Sequence, residues 1–168
     1  MFVGVREDLL TVFEAVEAER IATSWQWLLP AGTGAWFSTA MGDLFLRDGE
    51  GRVYWLAVDA GTVELVADSA IEFEDDLQDP ENYALCFAED FVDELQEAGL
   101  KLRPGECYSY RELPLLGGSY EFENFRVLPI LEHFQTWGAV HERLKDIPEG
   151  AQIPPGVLPV SGNEPPVD

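Results

Sequence analysis

The residues able to do chemistry are few and poorly spaced for it. The two histidines, His133 and His141, stand eight positions apart on one expected helix. That puts them about 12 Å apart along its axis, too far to share a metal ion. His141 falls on the apolar stripe and reads as a hydrogen-bonded core histidine, while His133 reads as a flanking, partly exposed residue. Cys86 and Cys107 fit no metal or redox spacing and read as buried thiols of a reducing cytoplasm. No Gly-x-Ser-x-Gly elbow is present. Gly117-Gly118 lacks the further glycines and the lysine of a phosphate loop, so it reads as a tight turn. Asp48-Gly49-Glu50-Gly51 is acidic but lacks the spacing of a calcium loop, and reads as a hairpin connection. Carboxylate pairs are too abundant for any one to point to glycoside hydrolysis. The residues suggest neither an enzyme nor a cofactor.

Charge carries more information. The chain has 32 acids against 10 bases, a net charge of −22 in 168 residues. From Val53 to Leu100 there are fourteen Asp and Glu and no Lys or Arg. Such a field repels nucleic acid and anionic membrane and attracts cationic surfaces from a distance. Glu89/Asp93, Asp90/Glu94 and Asp93/Glu97 are like-charge pairs four residues apart, each costing about 0.2–0.5 kcal/mol in an isolated helix. Asp75, Asp76 and Asp79 lie just upstream. A basic protein partner would offset this repulsion, and Asp75, Asp76, Glu89, Asp90, Asp93 and Glu94 are the candidate partner-binding residues. The rival accounts are a merely solvated face and adaptation to high salt, which the low lysine count would fit.

The elements that must position these residues follow from periodicity. Leu9, Leu10, Phe13, Val16, Ile21, Trp25 and Leu28 predict N-terminal helix, with a possible break at 18–22 and a stop at Pro30. Segments 35–40, 43–47, 52–58 and 62–67, separated by short Gly-containing connections, predict an antiparallel meander. Ser69, with Glu72 as capping-box partner, predicts a helix to about Gln78, ended by Asp79-Pro80. A second acidic helix is expected over 88–98, its apolar stripe Phe87, Phe91, Leu95 and Ala98 and its stop Gly99. After Pro104-Gly105 come residues 106–112 and the turn Gly117-Gly118, then a strand at 125–128 and a last helix starting at Pro129, with Ile130, Phe134, Trp137, His141 and Leu144 buried. The expected fold is α+β: a single domain over 1–153, an antiparallel meander sheet with helices packed on it, then a flexible tail over 154–168. No apolar run is long enough to cross a bilayer, and acids at Glu7, Asp8 and Glu14 argue against a secretory leader.

Three stretches carry a resemblance. They are Gly105-Glu106-Cys107-Tyr108-Ser109-Tyr110, Pro114 to Asn124 (with Leu115-Leu116-Gly117-Gly118-Ser119-Tyr120) and Gly138-Ala139-Val140-His141-Glu142-Arg143-Leu144-Lys145-Asp146-Ile147-Pro148-Glu149-Gly150. With Gly42-Asp43-Leu44-Phe45-Leu46-Arg47-Asp48 and Val53-Tyr54-Trp55-Leu56 upstream, the ensemble resembles the C-terminal module of the bacterial type VI secretion DNase-immunity family, from about Ser24 to Ile153. The resemblance implies a cytoplasmic, non-enzymatic protein that binds and neutralises a cognate antibacterial toxin. Family members often carry an additional N-terminal domain, whereas here some twenty residues precede the similarity. A nuclease toxin grips phosphates with a basic cleft, which an acidic helix could enter. Gly117, Gly118, Gly138 and His141 read as fold-keeping positions. The competing expectation is a regulatory or small-ligand-binding module with a pocket between the last helix and the sheet, read by Trp137, Tyr108 and Tyr110.

Overall fold

The computed structural model describes residues 2–154 and 157. The meander is present as expected: β2 (Gly34–Thr39), β3 (Leu44–Arg47), β4 (Val53–Ala57) and β5 (Thr62–Ala67) pair antiparallel in sequence order. Its first hairpin turns at Gly42 (φ +83°) and its second at Asp48–Gly51. In that second turn the Asp48 carboxylate accepts from the backbone N–H of Glu50 and Arg52 and from Arg52 Nε, so it shapes the connection.

The N-terminus departs from the expected helix. A 3-10 turn at Glu7–Leu9 leads into β1 (Leu10–Val12), which pairs with β2 and makes the sheet five-stranded. Only then comes α1 (Ala15–Thr23). The spacing of Leu9, Leu10 and Phe13 suits either structure, and the unpaired edge of β2 supplies hydrogen bonds that favour the strand. Trp25 follows α1 and is fully buried, its indole N–H donating to the Phe134 carbonyl at 3.0 Å.

One row of side chains crosses the sheet: Phe37 opposite Phe45, Phe45 opposite Trp55, Trp55 opposite Glu64. Phe37 and Phe45 stack at 4.7 Å, Phe45 and Trp55 at 5.3 Å. Aromatic pairs of this kind add about 0.5–1.5 kcal/mol each beyond their buried area. Helices α2 (Ala70–Asp76) and α3 (Pro80–Phe87) lay Phe73 and Phe87 on the row, 5.1 Å from Phe45 and 6.4 Å from Phe37.

Ser69 caps α2, accepting from Glu72 N–H at 3.1 Å. Glu72 returns to the N–H of Asp68, one residue before the expected capping-box partner. Asp79-Pro80 does more than end a helix. Asp79 caps α3, accepting from Glu81 N–H at 2.9 Å, and Pro80 takes its first position. The sequence expectation missed α3, although Asp-Pro at a helix start is a legible signal. Ala88, at φ +47°, joins α3 to α4 (Glu89–Glu97). Gly99 stops α4 at φ +95°, with Leu100 N–H returning to the Leu95 carbonyl. The buried side of α4 is Val92 and Leu95, with Phe91 half-buried against Phe122 and Phe125, whereas Ala98 is exposed.

A second, two-stranded sheet pairs β6 (Glu106–Tyr110) with β7 (Phe125–Pro129). Tyr108 N–H donates to the Ala40 carbonyl and ties this ribbon to the meander. Pro129 closes β7, one position before α5 (Ile130–Leu144), because its ψ of 137° is still extended. Ile130, Phe134, Trp137 and His141 are buried as expected and Leu144 is half-buried. Apart from Pro154 and Val157, the expected tail lies outside the described residues.

The glycines expected to keep the fold have specific neighbours. A Cβ on Gly118 would run into the Glu112 carbonyl, and one on Gly138 would sit 2.5 Å from the Ser24 carbonyl, where α5 passes the end of α1. Gly138→Ala must therefore push α5 away from Ser24 or bend it. A loss of about 1–3 kcal/mol in urea unfolding is expected, the range for forced overpacking.

Candidate partner interface

The six candidate carboxylates sit on α2 and α4. Asp75 and Asp76 close α2, a helix end that disfavours negative charge by about 0.3–1 kcal/mol per residue. None of α2, α3 and α4 has a basic residue in its last turn. Asp75, Asp76, Asp90 and Glu94 are exposed and make no ion pair among the described residues. Asp75 lies beside Phe2, Val3 and Val5, whereas Asp76 borders a groove between α2, α3 and the sheet.

Glu89 and Asp93 differ from the other four. Sequence proximity offers them no cation, but Arg6 reaches across from the N-terminal segment. Its Nη1 lies 2.9 Å from Glu89 Oε1 and 2.9 Å from Asp93 Oδ1, while Nε and Nη2 hold Asp8 at 2.9 and 2.7 Å. The expectation of wholly unrelieved repulsion along α4 is corrected at this pair, since the relieving charge is 83 residues away in sequence. The guanidinium holds the Asp8 carboxyl below its ordinary value, and Asp8 and Asp93 raise Arg6 above its own. The cluster is partly open to water, so its worth is modest. Arg6→Ala is expected to cost about 0.5–1 kcal/mol in chemical unfolding, with the deficit shrinking as salt is added.

The remaining polar chemistry is internal. His133 is fully buried, contrary to the expected flanking position, because α5 buries a stripe wider than its every-third-or-fourth pattern. Its place three residues after Ile130 and four before Trp137 was the available signal. His133 Nε2 lies 2.7 Å from the Gly42 carbonyl, and Nδ1 lies 2.7 Å from Ser109 Oγ. The carbonyl can only accept, so Nε2 donates, and Nδ1 accepts the Ser109 hydroxyl proton. Trp137 Nε1–H donates to the same Ser109 oxygen at 3.0 Å. Every member is satisfied, and burial pushes His133 down to about 4. Ser109 is also fully buried, so this serine–histidine contact offers solvent no nucleophile. His141 is the expected core histidine, its Nε2–H donating to the Val58 carbonyl at 2.7 Å.

Trp137, Tyr108 and Tyr110 do not read a ligand pocket. All three are buried, and the Tyr108 hydroxyl donates to the Leu100 carbonyl at 2.6 Å. The polar atoms of Trp137 and Tyr108 bond within the fold and the Tyr110 ring is buried, which corrects the expectation that these three aromatics read a ligand. Both cysteines are free; burial pushes the Cys86 thiol up to about 12 and Cys107 higher still, so neither is a nucleophile near neutrality. Among the described residues no group of three His, Cys, Asp or Glu side chains could hold a metal, and no helix is long and apolar enough to cross a membrane.

Comparison with known proteins gives one similar fold and one partial family match. The structure is similar to the crystal structure of Atu4351 from Agrobacterium tumefaciens, with a TM-score of 0.60 over 79% of this chain and 67% of that one. At 17% identity the likeness is one of fold. No curated protein matches the chain. Residues 67–140 match the family described as T6SS immunity protein Tdi1, C-terminal. That segment spans α2 to α4, both strands of the ribbon and α5 through Val140, so it contains all six candidate carboxylates and His133, Ser109 and Trp137, but not Gly42. The match is narrower than the similarity expected from the sequence motifs, and it falls on the same kind of module, the C-terminal region of a T6SS immunity protein.

Proposed function

We propose that this chain is a non-enzymatic immunity-type protein that binds a cognate antibacterial toxin and blocks it. The toxin we infer is a nuclease, met in the cytoplasm. The observation carrying the reading is the family match, which falls on the three helices that hold the uncompensated acids. A nuclease must present a cationic cleft to phosphates. Asp75, Asp76, Asp90 and Glu94 offer that cleft charge without competing internal partners, and Glu89 and Asp93 add charge softened by Arg6. Charge complementarity of this sort speeds encounter and disfavours wrong partners. Inert thiols and a sealed Ser109–His133 pair also fit a binding role.

The test is protection. Bacteria induced to make the toxin encoded beside this chain's gene should survive when the chain is co-expressed. The inactivated toxin should also co-elute with the purified chain on gel filtration. Continued killing together with separate elution would overturn the proposal.

A further inference from the structure

Beside Asp76, one of the candidate acids, the sheet and helices leave an apolar groove open. Its floor and walls are Phe45, Trp55 and Val66 of the sheet, Phe73 of α2 with Leu77 just past its end, and Leu85 of α3. The cavity volume is about 210 Å³, room for a large apolar side chain. Leu85 is 69% exposed, although Trp55 and Cys86 line the same groove. The Trp55 indole N–H is already used, donating to Asp43 Oδ2 at 3.1 Å, so the ring has no unmet polar demand.

The rim is acidic. Asp76 lines the groove, and the Asn82 amide donates to the Asp76 carbonyl at 3.1 Å, tying α3 to the end of α2. Glu64 stands directly opposite Trp55 in the β4–β5 register and therefore projects from the same sheet face. Asp76 and Glu64 make no ion pair among the described residues. An apolar floor with an anionic rim suits an apolar side chain flanked by cations.

We propose that this groove is the anchor site of the partner: it takes one large apolar side chain from a toxin segment whose flanking Lys or Arg residues meet Asp76 and Glu64. This rests on the immunity reading and adds a division of labour to it. The exposed acids of α2 and α4 govern how fast the complex forms, and the groove governs how long it lasts, as buried anchors do at protein interfaces.

Two measurements test it. In the first, a synthetic ten-residue peptide with a central Phe between Arg and Lys residues is titrated into the labelled full chain, and the Trp55 indole N–H resonance is followed. That resonance should move, and Leu85→Ser should weaken the peptide about tenfold, whereas a peptide with Ser in place of Phe should leave the resonance still. Movement confined to α4 signals, with Leu85→Ser without effect, would overturn the groove. So would a wild-type dimer on light scattering that Leu85→Ser dissolves, since the occupant would then be a second copy. In the second, the inactivated toxin is bound to wild type and to Leu85→Ser, a surface change that spares the core. About tenfold faster dissociation with an unchanged association rate is expected. Unchanged dissociation of a toxin that wild type does bind overturns the groove alone, whereas a toxin that wild type does not bind overturns the immunity reading.

Discussion

Replacing Asp75, Asp76, Asp90 and Glu94 together by lysine slows association with the toxin by about 10- to 100-fold at low salt, within the range of electrostatic steering. The four sites are chosen because they are exposed and make no ion pair among the described residues, so fold stability should change little. Glu89 and Asp93 are left alone, since reversing them would set new cations against Arg6. The substitution moves the local charge by +8, as each of four sites changes from −1 to +1. The gap between wild type and variant should narrow as salt rises, because the Debye length falls from about 30 Å at 0.01 M to about 8 Å at 0.15 M. Stopped-flow mixing gives both rates directly. Equal association rates across that range would remove the acidic face from the account.

The second large effect concerns stability. His133→Ala should cost about 3 kcal/mol or more near pH 7, since it opens a cavity and strips the Gly42 carbonyl and Ser109 of a buried partner. It should also change the pH profile. His133 is neutral in the fold and titrates near 4, against about 6.5 when unfolded. The unfolded chain therefore binds more protons between those values, and the His133 contribution is complete above about 6.5 and fades as pH falls toward 4, by about 3 kcal/mol in all. Asp43 acts in the opposite sense. Burial, with Asp59 nearby, pushes its carboxyl up to about 7, against the donors Val58 N–H and Trp55 Nε1–H. Its contribution is complete below about 4 and is lost as pH rises through 7. Between pH 4 and 6.5 the two slopes oppose each other and flatten the wild-type profile. In His133→Ala the Asp43 slope stands alone, so relative to wild type the variant loses less stability at pH 4.5 than at pH 7. Urea unfolding at both values reads the difference, and an equal deficit at the two would contradict the assignment of a neutral, buried imidazole.

Local signals made most of the fold legible. Glycine-punctuated alternation marks β2 to β5, Ser69 marks α2, Gly99 marks the end of α4, and the Ile130–His141 stripe marks α5. What escaped depends on partners distant in sequence. Leu10–Val12 is a strand because the edge of β2 lies open to it, and His133 is buried because Ser109 and Gly42 come to meet it. The α3 helix has a readable start in Asp79-Pro80, but the same pair also suits the end of α2, and only the packing of Phe87 on the sheet distinguishes the two. For the candidate site, the acids were plain in the sequence and their compensation was not. Arg6 reaches Glu89 and Asp93 from the N-terminal segment, and the groove beneath Leu85 forms only when β3, β4, β5, α2 and α3 assemble.

The most direct test of the central claim is the association rate of the unmodified chain with the inactivated toxin, measured while ionic strength alone is varied. If an anionic helical face meets a cationic cleft, the rate should fall steeply between about 0.01 M and 0.15 M salt. A rate that stays flat across that range would contradict it.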